Sequence, residues 1–336
     1  MDNTRLARRT MTAIVQERYG PDPEQVLRIG EVDRPAVGEC EVLVQVHAAS
    51  VDRGTWHVMA GLPYPIRLAG FGVRRPRYTN PGRNLAGTVE AVGAGVTGFA
   101  SGDPVFGIGA ATFAEYALAR PDKLAPRPAN LSFEQAAAVP VSGFTALQAV
   151  RDHGRIQAGQ SVLIIGASGG VGSFAVQIAK AFGAEVTGVA STTKIDAVRA
   201  FGADFVVDYT RTDALDGERR YDVILDIGGN ARLPRLRRAL TPRGRLVIVG
   251  GETDGRWLGG TDRQIRAQLL SPFVSQQMGT FVASENAADL TALAELLESG
   301  AVTPAIDRTY PLGGTVAAVR HLLDGRTRGK VVVAVR

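Results

Sequence analysis

Cysteine is almost absent: Cys40 is the only one in 336 residues. No intrachain disulfide can form, and no four-thiolate zinc site can be built. The expectation is a chain suited to a reducing, cytoplasmic compartment. Histidine is nearly as scarce, and His47, His57, His153 and His321 show no metal-ligand spacing. No unbroken apolar run reaches the roughly 20 residues of a membrane helix. Residues 1–10, MDNTRLARRT, are basic and polar. They lack the apolar segment of a secretory signal, so they read as a loose tail before a strand near residues 12–17. The net charge of +5 agrees with an anionic ligand without demanding nucleic acid. The length suits two domains with a large core.

Glycine is what the chain has in quantity, and one cluster of it organises the rest. Residues 161–194 read SVLIIGASGGVGSFAVQIAKAFGAEVTGVASTTK. An apolar strand-like run, Ser161–Ile165, enters a glycine-dense turn at 166–172. Val171, Phe174, Ala175, Ile178 and Ala179 then fall on one helical face. A second apolar run, Glu185–Ala190, reads as the next parallel strand. This is a βαβ unit with a dinucleotide fingerprint at its first turn. The free N–H groups and positive end of a helix dipole suit a pyrophosphate there. Gly169 keeps side chains off the phosphates, Gly170 eases the chain into the helix, and Gly172 permits close packing on the strand. The usual first glycine is Ala167. The alternative is a glycine-rich packing turn with no ligand.

The end of the second strand selects the cofactor. An NAD site places an acid there for the ribose 2′-hydroxyl. This chain has Ser191, Thr192, Thr193 and Lys194. Hydroxyls and a cation suit a 2′-phosphate, so NADP(H) is the expected cofactor. Otherwise Ser191 or Thr192 only caps a helix and Lys194 is solvated.

Residues 11–125 are punctuated by Gly, Pro and Asp, with alternating segments at 41–48 and 85–92, and suggest a barrel-like β domain. Residues 62–82 form a long loop rich in Pro, Gly and Arg, of the kind that serves as a lid or binding loop. Ser132 caps a helix over 132–139, and a second helix covers 143–150. Further strands are expected at 205–207, 222–227, 245–249 and 278–282. With the first two they make six parallel strands of a doubly wound α/β sheet. Helices at 287–297 and 315–323 and a strand at 330–335 close the chain.

These segments resemble a known family. AASVD (48–52), PGRNLAGTVEAVGAGVTGFASGDPVFG (81–107), KLAPRPANLSFEQAAAVPVSGFTAL (123–147), the fingerprint, DVILDIGGN (222–230), RLVIVGG (245–251) and RGKVVVAV (328–335) follow the order of a medium-chain dehydrogenase/reductase of the zinc-free, quinone oxidoreductase-like branch. The resemblance implies a GroES-like substrate domain at 1–127, a Rossmann NADP-binding domain at 128–284, and a return to the substrate domain at 285–336. It implies hydride transfer to a quinone, enone or enoyl substrate, and a homodimer paired through the 278–282 strand. Asp52 stands where the zinc branch has a catalytic cysteine, and Arg83 where it has a metal-binding histidine. No metal is expected.

The same resemblance implies site residues. Ser168, Gly169, Gly170, Val171 and Gly250 fall at cofactor-binding turns. Thr145, opening a helix, matches a position beside the nicotinamide. Tyr209 matches a contact with the adenosine phosphate, or is a strand-end aromatic. Lys330 matches a position that reaches the cofactor from the C-terminal segment, or is a solvated lysine. Tyr64 is the expected hydrogen-bond donor to the substrate carbonyl, against a packed loop tyrosine; His57 is a second candidate acid and Trp56 a pocket wall. Asp52 reads as the N-cap of a helix through Met59, with substrate contact the alternative. An NADPH-binding protein that uses its Arg74–Arg77 loop on nucleic acid or a partner is the competing, less favoured reading.

Overall fold

The computed structural model describes residues 10–250, 255–257 and 259–336. The N-terminal tail anticipated from the sequence therefore lies almost wholly outside the described residues. Two strands, β1 (Thr10–Gln16) and β2 (Leu27–Asp33), pair antiparallel. Next come β3 (Val42–Val51), β4 (Asn84–Val92), β5 (Pro104–Ala110) and β6 (Tyr116–Pro126). β3 is rich in valine, and Val42, Val44 and Val46 are fully buried. Each contributes about 1.5–2 kcal/mol of apolar burial. β3 pairs with both β4 and β6, so the sheet curls towards a barrel.

The second sheet holds β7 (Ser161–Ile165), β8 (Glu185–Ala190), β9 (Phe205–Asp208), β10 (Tyr221–Asp226), β11 (Leu240–Ile248) and β12 (Gln277–Thr280). Every pairing in it is parallel, in the order β12-β11-β10-β7-β8-β9. The chain starts at β7, winds out through β8 and β9, then returns to the other side of β7 at β10. Ligands bind in the crevice at such a reversal. All six strands anticipated from periodicity are present, within a few residues.

The chain then goes back to the first sheet. β13 (Ile306–Pro311) and β14 (Lys330–Ala334) complete it, with β14 antiparallel to β3 through Val331 opposite Val51. One apolar cluster runs continuously from Ala48 and Phe106 in the first sheet through Phe144 and Phe174 to Leu225 and Leu293. The two layers thus share a core beside the crevice.

Local signals account for several boundaries. Ser132 and Gln135 form a reciprocal capping box at the Phe133–Ala137 helix. Pro140 starts the next helix, Pro140–Gln148, because its missing N–H is harmless in the first turn. β2 and the short Pro23–Val26 helix were not anticipated. β2 alternates poorly, with Ile29 exposed, so nothing in its own pattern marks it as a strand.

Candidate functional site

The glycine turn lies at the reversal point, after β7. Its helix spans Gly170–Ala181, with Gly169 at the N-cap in extended backbone. A Cβ on Gly172 would stand 2.2 Å from the Gly166 carbonyl oxygen, which no real side chain tolerates. Gly172 therefore serves helix-to-turn packing. A Cβ on Gly169 would meet nothing nearer than that same oxygen, at 3.6 Å. The face of the turn that a phosphate would approach is open. Gly166 has φ of 86° and packs on Gly228, in the turn after β10. The two turns that flank the reversal thus touch. This glycine turn fits a dinucleotide pyrophosphate.

A buried polar cluster backs the turn. Lys330 is only 1% exposed, so the solvated-lysine alternative is wrong. Its Nζ donates to Ser142 Oγ at 3.1 Å and lies 3.9 Å from Asp52 Oδ2. Its side chain covers Gly170, where a Cβ would meet Lys330 Cδ at 2.9 Å. Burial pushes the ammonium pKa down, and Asp52 opposes that shift. Beside it, Gly329 donates its N–H to the Ser168 carbonyl at 2.9 Å. The C-terminal segment therefore clamps the fingerprint turn. Gly329 is required there: its φ is 93°, and a Cβ would stand 2.3 Å from the Ala305 carbonyl oxygen.

Asp52 has the capping role read from the sequence. It accepts from Thr55 N at 2.9 Å, and Thr55 Oγ1 accepts from Asp52 N at 3.2 Å. Its other oxygen accepts from Asn84 Nδ2 at 2.7 Å. Asn84 Oδ1 in turn accepts the N–H of Val141 at the start of the Pro140–Gln148 helix. One carboxylate and one amide so join β3, β4, that helix and β14. Thr145 does not open a helix as expected. It sits in the middle of Pro140–Gln148, and its hydroxyl donates to the Val141 carbonyl at 2.7 Å.

At the other end of the crevice, Ser191 precedes a short turn, Thr192–Lys194, and makes no side-chain cap. Thr192 Oγ1 donates to Asp208 Oδ2 at 2.5 Å. Asp208 ends β9 directly beside Ala190, and also accepts from Thr210 N and Oγ1. Those hydrogen bonds, Thr192's first among them, hold its carboxyl below the usual range. A carboxylate is thus present at this end after all; it comes from the neighbouring strand, where counting along β8 cannot find it. Lys194 is not simply solvated. Its Nζ donates to the Gly325 carbonyl at 2.6 Å, and burial lowers its pKa. Tyr209 is 63% exposed at the strand end.

Gly250 follows β11, and its carbonyl accepts from Arg263 Nη2 at 3.1 Å. Arg263 Nη1 also lies 2.7 Å from the fully buried Asp226 at the end of β10. Burial, only partly offset by Arg263, raises the Asp226 pKa to about 6.

The 62–82 loop is folded down rather than extended. Tyr19 donates its hydroxyl to the Phe71 and Gly72 carbonyls, and Arg67 lies over both Tyr19 and Tyr64. Tyr64 takes the Arg256 carbonyl on its backbone N–H, and its ring meets Trp257 edge-on at 5.1 Å. Among the described residues its hydroxyl has no hydrogen-bond partner. His57 Nδ1 lies 2.7 Å from the Leu62 carbonyl oxygen. Trp56 donates to the Pro21 carbonyl and packs outward on the first sheet's own core. Arg83 pairs with Glu285 at 2.7 Å, and Lys123 pairs with the same carboxylate at 2.9 Å. Among the described residues no group of three His, Cys, Asp or Glu side chains is placed to hold a metal ion. No helix there is long and apolar enough to cross a membrane.

Sequence reasoning missed Ser142, Asn84, Asp208, Glu285 and Gly329 as parts of the site. Asn84, Ser142 and Gly329 lie in segments that carried the family resemblance, GRN, SGFTA and RGK, and were within reach. Asp208 and Glu285 carry no local signal.

A two-layer fold with an open phosphate turn at its crevice defines a nicotinamide-dependent oxidoreductase. Comparison with known proteins narrows the class. A family model described as an alcohol dehydrogenase GroES-like domain matches residues 38–129, and one described as a zinc-binding dehydrogenase matches 201–333. The chain is 32% identical to a quinone oxidoreductase from Sus scrofa, over 96% of this chain and 97% of that one. It is 32% identical to a 2-methylene-furan-3-one reductase from Solanum lycopersicum, over 89% of this chain and 73% of that one. The solved quinone oxidoreductase from Coxiella burnetii superposes with a TM-score of 0.82 at 28% identity, covering 97% of this chain and all of that one. The chain belongs to the medium-chain dehydrogenase/reductase family, in its quinone oxidoreductase-like branch.

Proposed function

We propose that the chain is an NADPH-dependent, metal-free reductase of conjugated carbonyl compounds: quinones, enones or enoyl derivatives. The observation that carries this reading is the open face of Gly169 at the sheet's reversal point, backed by a buried lysine. The relatives named for quinone and furanone reduction support the substrate class. Independence from zinc is supported by the donor set. Asp52 is held in a capping box and by Asn84, and Arg83 cannot ligate a metal.

Ser168, Gly169, Gly170 and Val171 are assigned to the pyrophosphate, and Lys330 to the cofactor where it crosses the helix start. Thr145 and Gly250 are assigned to the nicotinamide side. Ser191, Thr192, Lys194 and Tyr209 are assigned to the adenosine 2′-phosphate. The inward hydrogen bonds of Asp208 and the nearby cation Arg211, 3.6 Å from it, favour the phosphate over a bare hydroxyl. When bound, the nicotinamide supplies the hydride. The protein holds the substrate carbonyl and donates a hydrogen bond to the oxygen as negative charge develops on it. Tyr64 is assigned that role because its hydroxyl, which has no hydrogen-bond partner among the described residues, can act as a donor. His57 is the second candidate, and Asp52 positions Lys330.

The domain division at 127/128 and 284/285 belongs to the same reading. So does a cytoplasmic homodimer. β12 is an edge strand, and Phe273 and Val282 beside it are exposed, as an interface between copies requires.

The test is Gly169→Val. Its backbone angles suit any residue and its Cβ enters open space. The melting temperature should stay within about 2 °C, while NADPH affinity falls roughly tenfold or more. Unchanged affinity would show a packing turn with no ligand. Oxidation of NADPH by a neutral quinone or enone, with chelator present, tests the chemistry.

A further inference from the structure

The buried pair of Asp226 and Arg263 takes no part in the reading above, yet it sits where three turns meet. Asp226 ends β10, between Ile165 at the end of β7 and Ile248 at the end of β11. Ile227 and Gly228 donate their N–H groups to the Ile165 carbonyl, and Val249 and Gly250 donate theirs to the Asp226 carbonyl. The Asp226 side chain adds a further tie: Oδ1 accepts from Gly229 N at 2.9 Å. A Cβ on Gly229 would stand 2.4 Å from that oxygen, and one on Gly250 would stand 2.4 Å from the Ile227 carbonyl oxygen. The turns after β10 and β11 are thus pressed onto each other and onto one carboxylate.

Arg263 closes the arrangement from the Thr261–Leu270 helix. Its Nη1 lies 2.7 Å from Asp226 Oδ2 and donates to the Ala231 carbonyl at 3.1 Å, while Nη2 donates to the Gly250 carbonyl at 3.1 Å. One guanidinium so spans both turns, which its planar fork allows and a single ammonium does not. Asp226 Oδ2 is buried, and among the described residues no N–H is aligned on it as a hydrogen-bond donor. That oxygen holds Arg263 by charge alone, so the hold lasts only while the carboxyl is ionised. Burial raises its pKa to about 6 against the opposing pull of Arg263. Among the described residues Arg263 is the only charged side chain that acts on it. The strand neighbours Ile165 and Ile248 are apolar, and Asp262, next to Arg263 on the helix, pairs with Arg266. The ion pair is therefore present above about pH 6 and lost as pH falls through that value.

In the sheet, β8 and β9 lie on one side of β7, and β10 and β11 on the other. With the pyrophosphate assigned to the turn after β7 and the 2′-phosphate to the end of β8, the turns after β10 and β11 remain for the nicotinamide half of the dinucleotide. We propose that Arg263 is a positioning residue for that half, fixing the 227–231 turn and Gly250 together, and that it does so only while Asp226 is ionised. The inference rests on the NADPH-dependent reductase reading and deepens it: the nicotinamide half is gripped through a brace that acid releases, and the adenosine half is not.

The experiment measures dissociation constants by calorimetry for two ligands: NADP+, and adenosine 2′,5′-bisphosphate, which carries the 2′-phosphate without the nicotinamide half. Arg263→Lys keeps the charge but loses the fork, and Arg263→Gln, the second variant, loses both. At about pH 7.5 each should bind NADP+ roughly tenfold more weakly than the wild type does, with the bisphosphate bound as in the wild type. Unchanged bisphosphate affinity also reports that the variant is folded. Near pH 5 the gap for NADP+ should close towards one, because the wild type has then lost the ion pair as well. Titration of the ligand's own phosphates is common to both proteins and cancels. A gap of the same size at both pH values overturns the dependence on Asp226. Equal losses for the two ligands in both variants would make Arg263 a general prop of the fold and overturn the positioning role. No loss for NADP+ overturns the inference and leaves the reductase reading standing. A wild type that binds neither ligand overturns both.

Discussion

The glycine turn and the 62–82 loop are built differently. The turn, which we assign to the phosphates, is made of backbone. Gly166, Gly169, Gly172 and Gly329 set its shape, and a lysine at 1% exposure locks it from behind. The loop, where we place the substrate, is made of side chains, among them Tyr64 and Arg67, both partly exposed. A backbone site has few ways to vary, because Gly166, Gly172 and Gly329 each answer a steric contact. A side-chain site can change its chemistry without disturbing the fold. The first should fail abruptly on substitution, and the second should fail selectively.

The sharpest way to break this contrast is Gly172→Val. A Cβ 2.2 Å from a carbonyl oxygen forces the helix off the turn, so we expect a loss of about 3 kcal/mol or more in chemical unfolding, together with NADPH binding. Retained stability would mean the turn is not set by packing.

At the substrate end, Tyr64→Phe should lower kcat on an enone by about 10²–10³, with NADPH affinity nearly constant. Full kcat, with chemistry shown to be rate-limiting, would make Tyr64 a packing residue and turn attention to His57.

Lys194→Ala should remove most of a preference for NADPH over NADH of roughly tenfold, read as a ratio of dissociation constants. Asp208→Asn refines the point. If Asp208 is satisfied by Thr192 and Thr210, the ratio moves little. A large swing towards NADPH would show that the carboxylate works against the phosphate.

The smallest effect should come from a buried carboxylate that belongs to neither region. Asp289, 6% exposed, accepts from Gln148, Arg151 and Asn286. Burial pushes its carboxyl pKa up, but those bonds together outweigh burial and hold it below the ordinary 3.8. A depressed folded-state pKa gives stability that is present above the unfolded value and lost as pH falls through the folded one. Asp289→Asn should therefore cost about 2 kcal/mol at pH 7, and the difference from wild type should shrink below about pH 4. Kinetic constants should not move.

The same contrast explains what could be read in advance. The parallel strands and the glycine turn were legible because period, glycine spacing and strand length are local properties. The cap at Asp52 was legible for the same reason. Lys330 was not: whether a lysine after Gly329 is solvated depends on Gly170 and Ser142, far away in the chain. Asp208 escaped because the relevant neighbour lies across a strand pairing, opposite Ala190. Thr145 was assigned to a helix start because Pro140, three residues before Gly143, was not read as the first residue of that helix. The pairing of Arg83 and Lys123 with Glu285 joins three separate segments and has no sequence signature.

β14 also has a consequence for how the molecule comes into being. It pairs with β13 on one side and β3 on the other, and it carries Lys330 to the glycine turn. A ribosome reaches it only after β3 through β12 have emerged. Until then β3 presents an unpaired edge at Ala48–Val51 to any other strand nearby. The parallel sheet can assemble during that interval, but its phosphate turn lacks the clamp from Gly329 and the cover from Lys330. Synthesis order therefore delays completion of the glycine turn's surroundings until β14 has followed β3 through β13, and exposes the nascent chain at the edge that strand will occupy.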